Sequence, residues 1–205
     1  MSFTPFPPSY VPLRKGRRAL LRMATYPADS AGLLDLERAI VEARHGIVKY
    51  PDELPDDPIT YGELQIRAGM AVTDGSAFCM VAEEEGRGIV AEASLLRLSF
   101  RMVRHVAVLG IGVHPDAQGI GLGRVLLEAL LGWVRDHRDE DGGRIHRVEL
   151  HVRADNPRAI ALYRSLGFQQ EGSRRALVRR DDGLFIDDIG MGLLLPDPDE
   201  PSPSA

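Results

Sequence analysis

The chain has 205 residues, of which 44% are hydrophobic and 27% are charged, and its formal net charge is −5. This length suits one domain with short tails, and the acidic balance argues against a dedicated nucleic-acid binder, which normally carries a basic stripe. A single cysteine, Cys79, excludes an internal disulfide framework. The sequence has no apolar run of membrane-spanning length and no signal-peptide pattern. We therefore expect a cytoplasmic protein that binds neither nucleic acid nor a membrane.

Alternating strands and helices are predicted within one domain at residues 17–195. A Pro-rich arm at residues 1–16 precedes this domain, and a Pro/Ser/Asp-rich tail at 196–205 follows it. The tail is expected to be disordered because it has little apolar surface to bury. The predicted strands are Ala19–Thr25, Ala77–Ala82, Ile89–Leu98, Val106–Val113, Arg147–Val152, Arg174–Arg180 and Leu184–Leu195. The predicted helices are Pro27–Val41, Thr60–Ala68 (with a capping-box pattern), Leu122–Arg138 and Pro157–Leu166.

The most informative stretch runs from a buried strand through a glycine-rich loop into a long helix. The apolar strand Val106–Val113 ends at His114-Pro115, because proline cannot continue a strand ladder. Gly119, Gly121 and Gly123 follow at alternate positions and leave the backbone bare at the start of the helix. Backbone N–H groups and the positive end of the helix dipole attract an anion at such a point. The stretch therefore predicts a phosphate-binding loop.

Two common phosphate-binding patterns do not fit this loop. A Walker loop requires Lys followed by Ser or Thr after its glycines, whereas Arg124-Val125 stands here. A dinucleotide fingerprint requires G-x-G-x-x-G and an acidic residue at the end of the next strand, which instead ends in His151-Val152-Arg153. The pattern present is Q-x-x-G-x-G, at Gln118–Gly123, after a strand that ends Val-x-Pro.

A second block lies about thirty residues further along the chain. Residues 150–168 contain a strand, then Asn156, then Leu162-Tyr163 and Gly167-Phe168. In this order the two blocks resemble the GCN5-related N-acetyltransferase (GNAT) superfamily, whose first motif binds the pyrophosphate of acetyl-CoA. The resemblance is detailed over residues 106–168 and looser over 17–195. The small-amine acetyltransferases, including those that act on free amino acids, are the most similar branch.

The resemblance implies an α/β fold with a mixed, mostly antiparallel sheet of about seven strands and helices on both faces. It also implies that Gly110 and Gly112 mark a bulge, which splays the central strand pair so that the pantetheine arm of acetyl-CoA can pair with an open strand edge. No metal is implied. The residues that the resemblance assigns to acetyl-CoA are Ile111, Val113, Gln118, Gly119, Gly121, Leu122, Gly123, Arg124, Asn156 and Tyr163.

Acetyl transfer to an amine requires a base for the amine and a proton donor for the departing thiolate. The resemblance implies that Tyr163 is this donor, near the CoA sulfur. The base is less defined, because Ala107 stands where some family members carry a carboxylate. His105 has a suitable intrinsic pKa and would share a strand face with Ala107 if the strand extends that far. Glu92 and Glu149, each on a predicted strand, could instead anchor a water relay.

The predicted function is transfer of the acetyl group of acetyl-CoA to the primary amine of a small molecule, such as an amino acid, by direct attack. A protein or peptide acetyltransferase acting on an N-terminus or a lysine is the alternative. The loop Gly46–Ile59 would discriminate between them, since a closed pocket suits small acceptors and an open groove suits peptides. A catalytically weak CoA-binding module is a further alternative, which Ala107 would explain. The sequence leaves open whether the chain forms a homodimer.

Overall fold

The computed structural model describes residues 6–44, 46–67, 77–139 and 142–195. The strands of this part of the chain are β1 (Ser9–Pro12), β2 (Arg18–Met23), β3 (Ala77–Glu84), β4 (Gly88–Arg97), β5 (Val106–Val113), β6 (Arg147–Arg153), β7 (Gln169–Arg179) and β8 (Phe185–Leu194). Its α-helices are α1 (Ser30–Glu42), α2 (Pro58–Arg67), α3 (Leu122–Asp136) and α4 (Pro157–Ser165). None of these helices has both the length and the apolar character that crossing a membrane requires.

The strands form one sheet in the order β1-β2-β3-β4-β5-β6-β8-β7. Among the described strands, β5 and β6 pair in parallel and the other neighbours pair antiparallel. This arrangement confirms the predicted mixed, mostly antiparallel sheet and adds one strand to the expected seven.

Helices cover both faces of the sheet, as the two sides of β3 show. Successive residues of a strand point to opposite faces, and those of β3 pack against different helices. Phe78 and Met80 belong to the main core beneath α3, where the ring of Phe78 stacks on Trp133 with a centroid distance of 4.1 Å. Cys79 and Val81 belong to a smaller cluster with residues of α1 and α2. The predicted placement of helices on both faces is therefore confirmed.

Three differences from the predicted elements have a clear physical reason. Strand β1 lies within the expected Pro-rich arm, and it tolerates Pro12 because it is an edge strand. Helix α2 begins two residues early, at Pro58, because the Asp57 carboxylate accepts hydrogen bonds from the next free N–H groups, including that of Thr60 at 2.9 Å. Strand β7 begins at Gln169 rather than Arg174, and its exposure on both faces explains why its sequence does not alternate. The expected tail at 196–205 lies outside the described residues.

The central strands β5 and β6 diverge after three residue pairs. Val106–Val108 pairs with Arg147–Glu149, and beyond this point β5 pairs with β4 alone. The β4–β5 register runs without a shift from Arg97 opposite Ala107 to Ala91 opposite Val113. The expected splay is present, but the expected bulge is wrong, since no residue is inserted in β5. The edge of β5 from Leu109 to Val113 is left open toward β6.

Candidate active site

A cavity of about 630 Å³ lies where β5 and β6 separate. Its walls come from α1, α2, the central strands, the loop before α3, and α4. The ten residues that the family resemblance assigns to acetyl-CoA all line it: Ile111, Val113, Gln118, Gly119, Gly121, Leu122, Gly123, Arg124, Asn156 and Tyr163.

The glycine-rich loop has the backbone shape that a phosphate cradle requires. Gly119 and Gly121 adopt φ values of +78° and +93°, in the left-handed region that penalises L side chains. Gly121 immediately precedes α3 and has no side chain that could cap the helix. The first turn of α3, from Leu122 to Arg124, lines the cavity, so the positive end of the helix dipole points to it. These residues fit the pyrophosphate of acetyl-CoA.

Two polar side chains beside the loop already have partners. The side-chain oxygen of Asn156 accepts a hydrogen bond from the backbone N–H of Ala159 at 3.1 Å and caps α4, as the sequence predicts. The side-chain amide of Gln118 donates to the carbonyl oxygen of Val113 at 3.1 Å. Because a carbonyl oxygen has two lone pairs, Val113 can still accept a second hydrogen bond from a ligand. Asn156 and Gln118 therefore line the cavity and also hold its backbone in place through these hydrogen bonds.

The glycines of β5 make room for a carboxylate on β4. Glu92 stands opposite Gly112 in the register, and both line the cavity. A Cβ added to Gly112 would lie 3.3 Å from Glu92 Oε1 and 2.7 Å from Ile40 Cδ1. A Cβ added to Gly110 would likewise lie 3.0 Å from the hydroxyl of Ser94. The physical reason for glycine in this strand is therefore close approach rather than a bulge.

The environment of Glu92 favours its protonated form. Burial and the negative charge of Glu37 raise the pKa of Glu92 to about 7, while a hydrogen bond from Ser94 and the positive charge of Lys49 oppose this rise. Lys49 forms an ion pair with Glu37, whose side chain is 18% exposed. Glu92 is thus a carboxylate that exchanges a proton near neutral pH, which is the property a general base needs.

Tyr163 lines the same cavity and is 7% exposed. Its ring meets the edge of Phe168 at a centroid distance of 5.9 Å. Burial, with a smaller contribution from the charge of Glu92, raises the pKa of Tyr163 to about 12. The phenol therefore keeps its proton at neutral pH and can donate a hydrogen bond.

Residues 46–50, here called the acceptor strap, cross from α1 toward β6 and the β7–β8 hairpin. Arg153 on β6 donates to the carbonyl oxygen of Ile47 at 2.7 Å, and Lys49 pairs with Glu37 on α1. The hydroxyl of Tyr50 is hydrogen-bonded to Asp181 at the hairpin tip. A Cβ on Gly46 would lie 2.6 Å from the side-chain nitrogen of Asn156. The strap is therefore tied to three elements and borders the cavity at Gly46 and Ile47.

The structure places the other candidate bases away from the cavity. His105 is exposed and precedes the first residue of β5, so it lies at the opposite end of the strand from Val113. Glu149 lies outside the cavity and pairs with Arg147 at 3.2 Å. Ala107 is fully buried in the main core. The structure therefore does not bring His105 together with the residues that line the cavity, because the strand starts after it.

Sequence reasoning missed three cavity features. Glu37 and Arg14 line the cavity, and Lys49 pairs with Glu37, but none of the three belongs to a motif. Amphipathic spacing in α1 could have placed Glu37 beside the apolar face, whereas nothing local indicates Arg14. Within the described ranges, no group of three or more His, Cys, Asp and Glu residues could hold a metal ion.

In comparisons with known proteins, the matching family and two similar proteins are named as acetyltransferases. A sequence model of the Acetyltransferase (GNAT) family matches residues 40–168. The chain is 41% identical over 99 residues to the N-alpha-acetyltransferase RimI of Mycobacterium tuberculosis, covering 48% of this chain and 57% of that protein. It is 35% identical over 115 residues to a mycothiol acetyltransferase of Kocuria rhizophila, covering 55% of this chain and 36% of that protein. The chain thus spans little more than half of the first relative's length and about a third of the second's.

One similar solved structure holds a bound cofactor. It is yncA from Salmonella typhimurium with its cofactor acetyl-CoA, at a TM-score of 0.70 and 26% identity. The similarity covers 91% of this chain and 98% of that chain.

Proposed function

We propose, because this chain belongs to the acetyltransferase (GNAT) family, that it transfers the acetyl group of acetyl-CoA to the primary amine of a small molecule, with amino acids or amino-acid-like molecules as the acceptor class. The observation that carries this proposal is the single cavity that contains both the glycine-rich loop before α3 and the carboxylate of Glu92. The proposed cofactor site and a candidate base therefore share one cavity.

The cofactor is expected to lie along the loop and the open edge of β5. Backbone N–H groups from Gly119 to Arg124 would bind the pyrophosphate, and backbone groups of Ile111 and Val113 would pair with the pantetheine arm. Asn156 would contact this arm from the side of α4. Acetyl-CoA supplies the activated thioester carbonyl.

Glu92 is the proposed base. An acceptor amine is an ammonium ion at neutral pH and must lose a proton before its nitrogen attacks the thioester carbon. With a pKa of about 7, the Glu92 carboxylate can take this proton directly or through one water. The new N–C bond forms as the C–S bond breaks, and the proton on Glu92 then returns to solvent.

Tyr163 is the proposed partner of the departing sulfur. Its phenol, with a pKa of about 12, is a weaker acid than a thiol of pKa about 8.5, so it acts first as a hydrogen-bond donor to the developing thiolate. The attacking nitrogen must lose a second proton to become an amide. The hydroxyl of Tyr163 gives its proton to the sulfur and takes the second proton of the nitrogen. The products are then a neutral amide and the neutral thiol of CoA, and the phenol is restored.

The acceptor strap supports a small acceptor. Its contacts to Arg153, Glu37 and Asp181 tie it to three elements at the border of the cavity. A tied strap favours a bounded pocket over an open groove, and the similarity to a mycothiol acetyltransferase agrees with a small-molecule acceptor.

A second candidate function is acetylation of the N-terminal amine of a protein. The similarity to the N-alpha-acetyltransferase RimI favours it. The hypothesis of a weak CoA-binding module was based on Ala107, which stands where a carboxylate base is expected. Glu92 offers a carboxylate at another position in the cavity.

Acetyl-CoA turnover, measured by thiol release, tests these candidates. The acceptor panel contains free amino acids, polyamines, aminoglycosides and short peptides with free N-termini. We expect turnover with at least one free amino acid or small primary amine. Turnover confined to peptides would replace the first candidate by the second, and CoA binding without turnover across the panel would favour the weak binding module.

A further inference from the structure

The segment before β2 is anchored to the glycine-rich loop. The backbone N–H of Arg14 donates to the carbonyl oxygen of Ile120 at 3.1 Å. The guanidinium of Arg17 donates to the carbonyl oxygen of Asp116 at 2.9 Å and forms an ion pair with the buried Glu84. Two contacts therefore hold this segment against both ends of the loop.

Residues 13–17 form a hydrogen-bonded turn. The backbone N–H of Leu13 donates to the carbonyl oxygen of Arg17 at 2.8 Å, and Leu13 is buried in the main core. Lys15 and Gly16 adopt left-handed φ values of 62° and 68° inside the turn. A non-glycine residue in this region is uncommon and persists only where its surroundings hold it. The turn thus presents Arg14 in a defined position.

The side chain presented there is a cation beside a predicted phosphate site. Arg14 lines the cavity together with Arg124 and Arg158. Arg124 already donates to the hydroxyl of Ser165 at 2.6 Å, whereas no carboxylate among the described residues pairs with Arg14. A CoA molecule carries a pyrophosphate and a 3′-phosphate. The backbone N–H groups of the loop cannot neutralise all of this negative charge, so a guanidinium beside the loop can bind part of it.

We propose that Arg14 binds a phosphate group of CoA and that the N-terminal segment is therefore part of the cofactor site. This inference rests on the proposed function. The backbone that carries Arg14 is prearranged, because the backbone N–H of Arg14 and the side chain of Arg17 make the anchor contacts. Prearranged groups lose less conformational entropy when a ligand binds.

Calorimetric titration with two ligands tests this proposal without measuring turnover. CoA and dephospho-CoA, which lacks the 3′-phosphate, are titrated into the wild-type chain, Arg14→Ala and Arg14→Gln. We expect both variants to raise the Kd of CoA about tenfold, the lower end for a charge-assisted hydrogen bond at an exposed site. The loss should shrink at high salt, because an exposed ion pair is screened. Arg18→Ala is the matched control, since Arg18 lies outside the cavity and pairs with Glu85.

The two ligands separate the outcomes. A loss for CoA alone supports a contact with the 3′-phosphate, and an equal loss for both ligands supports a contact with the pyrophosphate. Unchanged affinity for both ligands, in variants that melt at the wild-type temperature, overturns the assignment of Arg14 while wild-type binding leaves the proposed function standing. A wild-type chain that binds neither ligand overturns both proposals.

Discussion

Glu92 shows how one residue in the cavity can link activity to pH. Its pKa of about 7 arises mainly from burial and then from Glu37. A base must be ionised to accept a proton, so we expect kcat/KM to fall as the pH decreases through about 7. Glu92→Gln should lose this pH dependence together with most of the activity, by roughly 10²–10⁴-fold. A pH profile of kcat/KM measures both effects, and a variant that keeps the wild-type profile would exclude Glu92 as the base.

The same pKa provides a folding control for Glu92→Gln. The folded-state pKa lies above the ordinary value of 4.5, so ionising Glu92 costs stability as the pH rises through about 7. Glutamine carries no such cost. We therefore expect the melting temperature of the variant to exceed that of the wild type at pH 8, and this difference to shrink toward pH 4.5. Loss of activity without loss of stability would then be a chemical effect.

Tyr163→Phe separates the hydroxyl from the ring. The phenyl ring keeps its packing against Phe168 and only the hydroxyl is lost. If the hydroxyl stabilises the thiolate, the single-turnover rate should decrease by roughly 10²–10⁴-fold while the Kd of acetyl-CoA changes little. Tyr10→Phe is the control, because Tyr10 is 68% exposed and outside the cavity. A wild-type single-turnover rate would reduce Tyr163 to a packing residue and leave water as the proton donor.

At the scale of elements, the loop before α3 depends on a bare backbone. Gly121→Glu would place a side chain and a negative charge at the start of the helix, where the pyrophosphate is expected, and should abolish detectable acetyl-CoA binding in calorimetry. Backbone strain alone would destabilise the folded variant by about 1–2 kcal/mol, because φ is +93° at this glycine and a side chain is unfavourable there.

Two controls isolate the effect of the Gly121→Glu charge. Gly121→Ala carries the strain without the charge, and should weaken binding less. Gly86→Glu carries comparable strain and charge at the β3–β4 turn, where φ is +75° and no atom lies within 4 Å of an added Cβ. If Gly121→Glu bound acetyl-CoA with wild-type affinity, the assignment of the phosphate loop would be wrong.

At the scale of the whole molecule, the acceptor strap joins parts of the chain that are distant in sequence. Asp181 at the hairpin tip forms an ion pair with Arg44, whose guanidinium lies 4.5 Å from the ring centroid of Tyr50. We expect Asp181→Ala to raise the KM for the acceptor by roughly twofold to fivefold, the range that exposed ion pairs provide. The affinity for acetyl-CoA should not change, because the loop before α3 is untouched.

The neighbouring carboxylate supplies the control for Asp181→Ala. Asp182 pairs with Arg180 at 2.8 Å within the same hairpin and makes no hydrogen bond or ion pair with the described residues of the strap. Asp182→Ala should therefore leave the acceptor KM at its wild-type value. Equal effects of the two variants would show that the hairpin, rather than its contact with the strap, governs the acceptor.

The sequence determined those features that depend on short-range pattern. Apolar periodicity located the strands and helices, because burial repeats every two residues in a strand and every 3.6 in a helix. Glycine spacing located the loop before α3, and Asn156-Pro157 located the start of α4, because capping is a local hydrogen-bond requirement. Strand β1 escaped this reasoning because a four-residue edge strand with a proline has little pattern to detect.

Only the tertiary structure decided which charged residues meet. The sequence favoured His105 as the base and offered Glu92 and Glu149 only as anchors of a water relay, whereas strand register brings Glu92 to the cavity opposite Gly112. The contacts of Arg14 with the glycine-rich loop and of Lys49 with Glu37 likewise follow from how β2 and α1 pack on the sheet. The physical reason is that burial and charge, which set the pKa of a side chain, are properties of its neighbours in space and not in the chain.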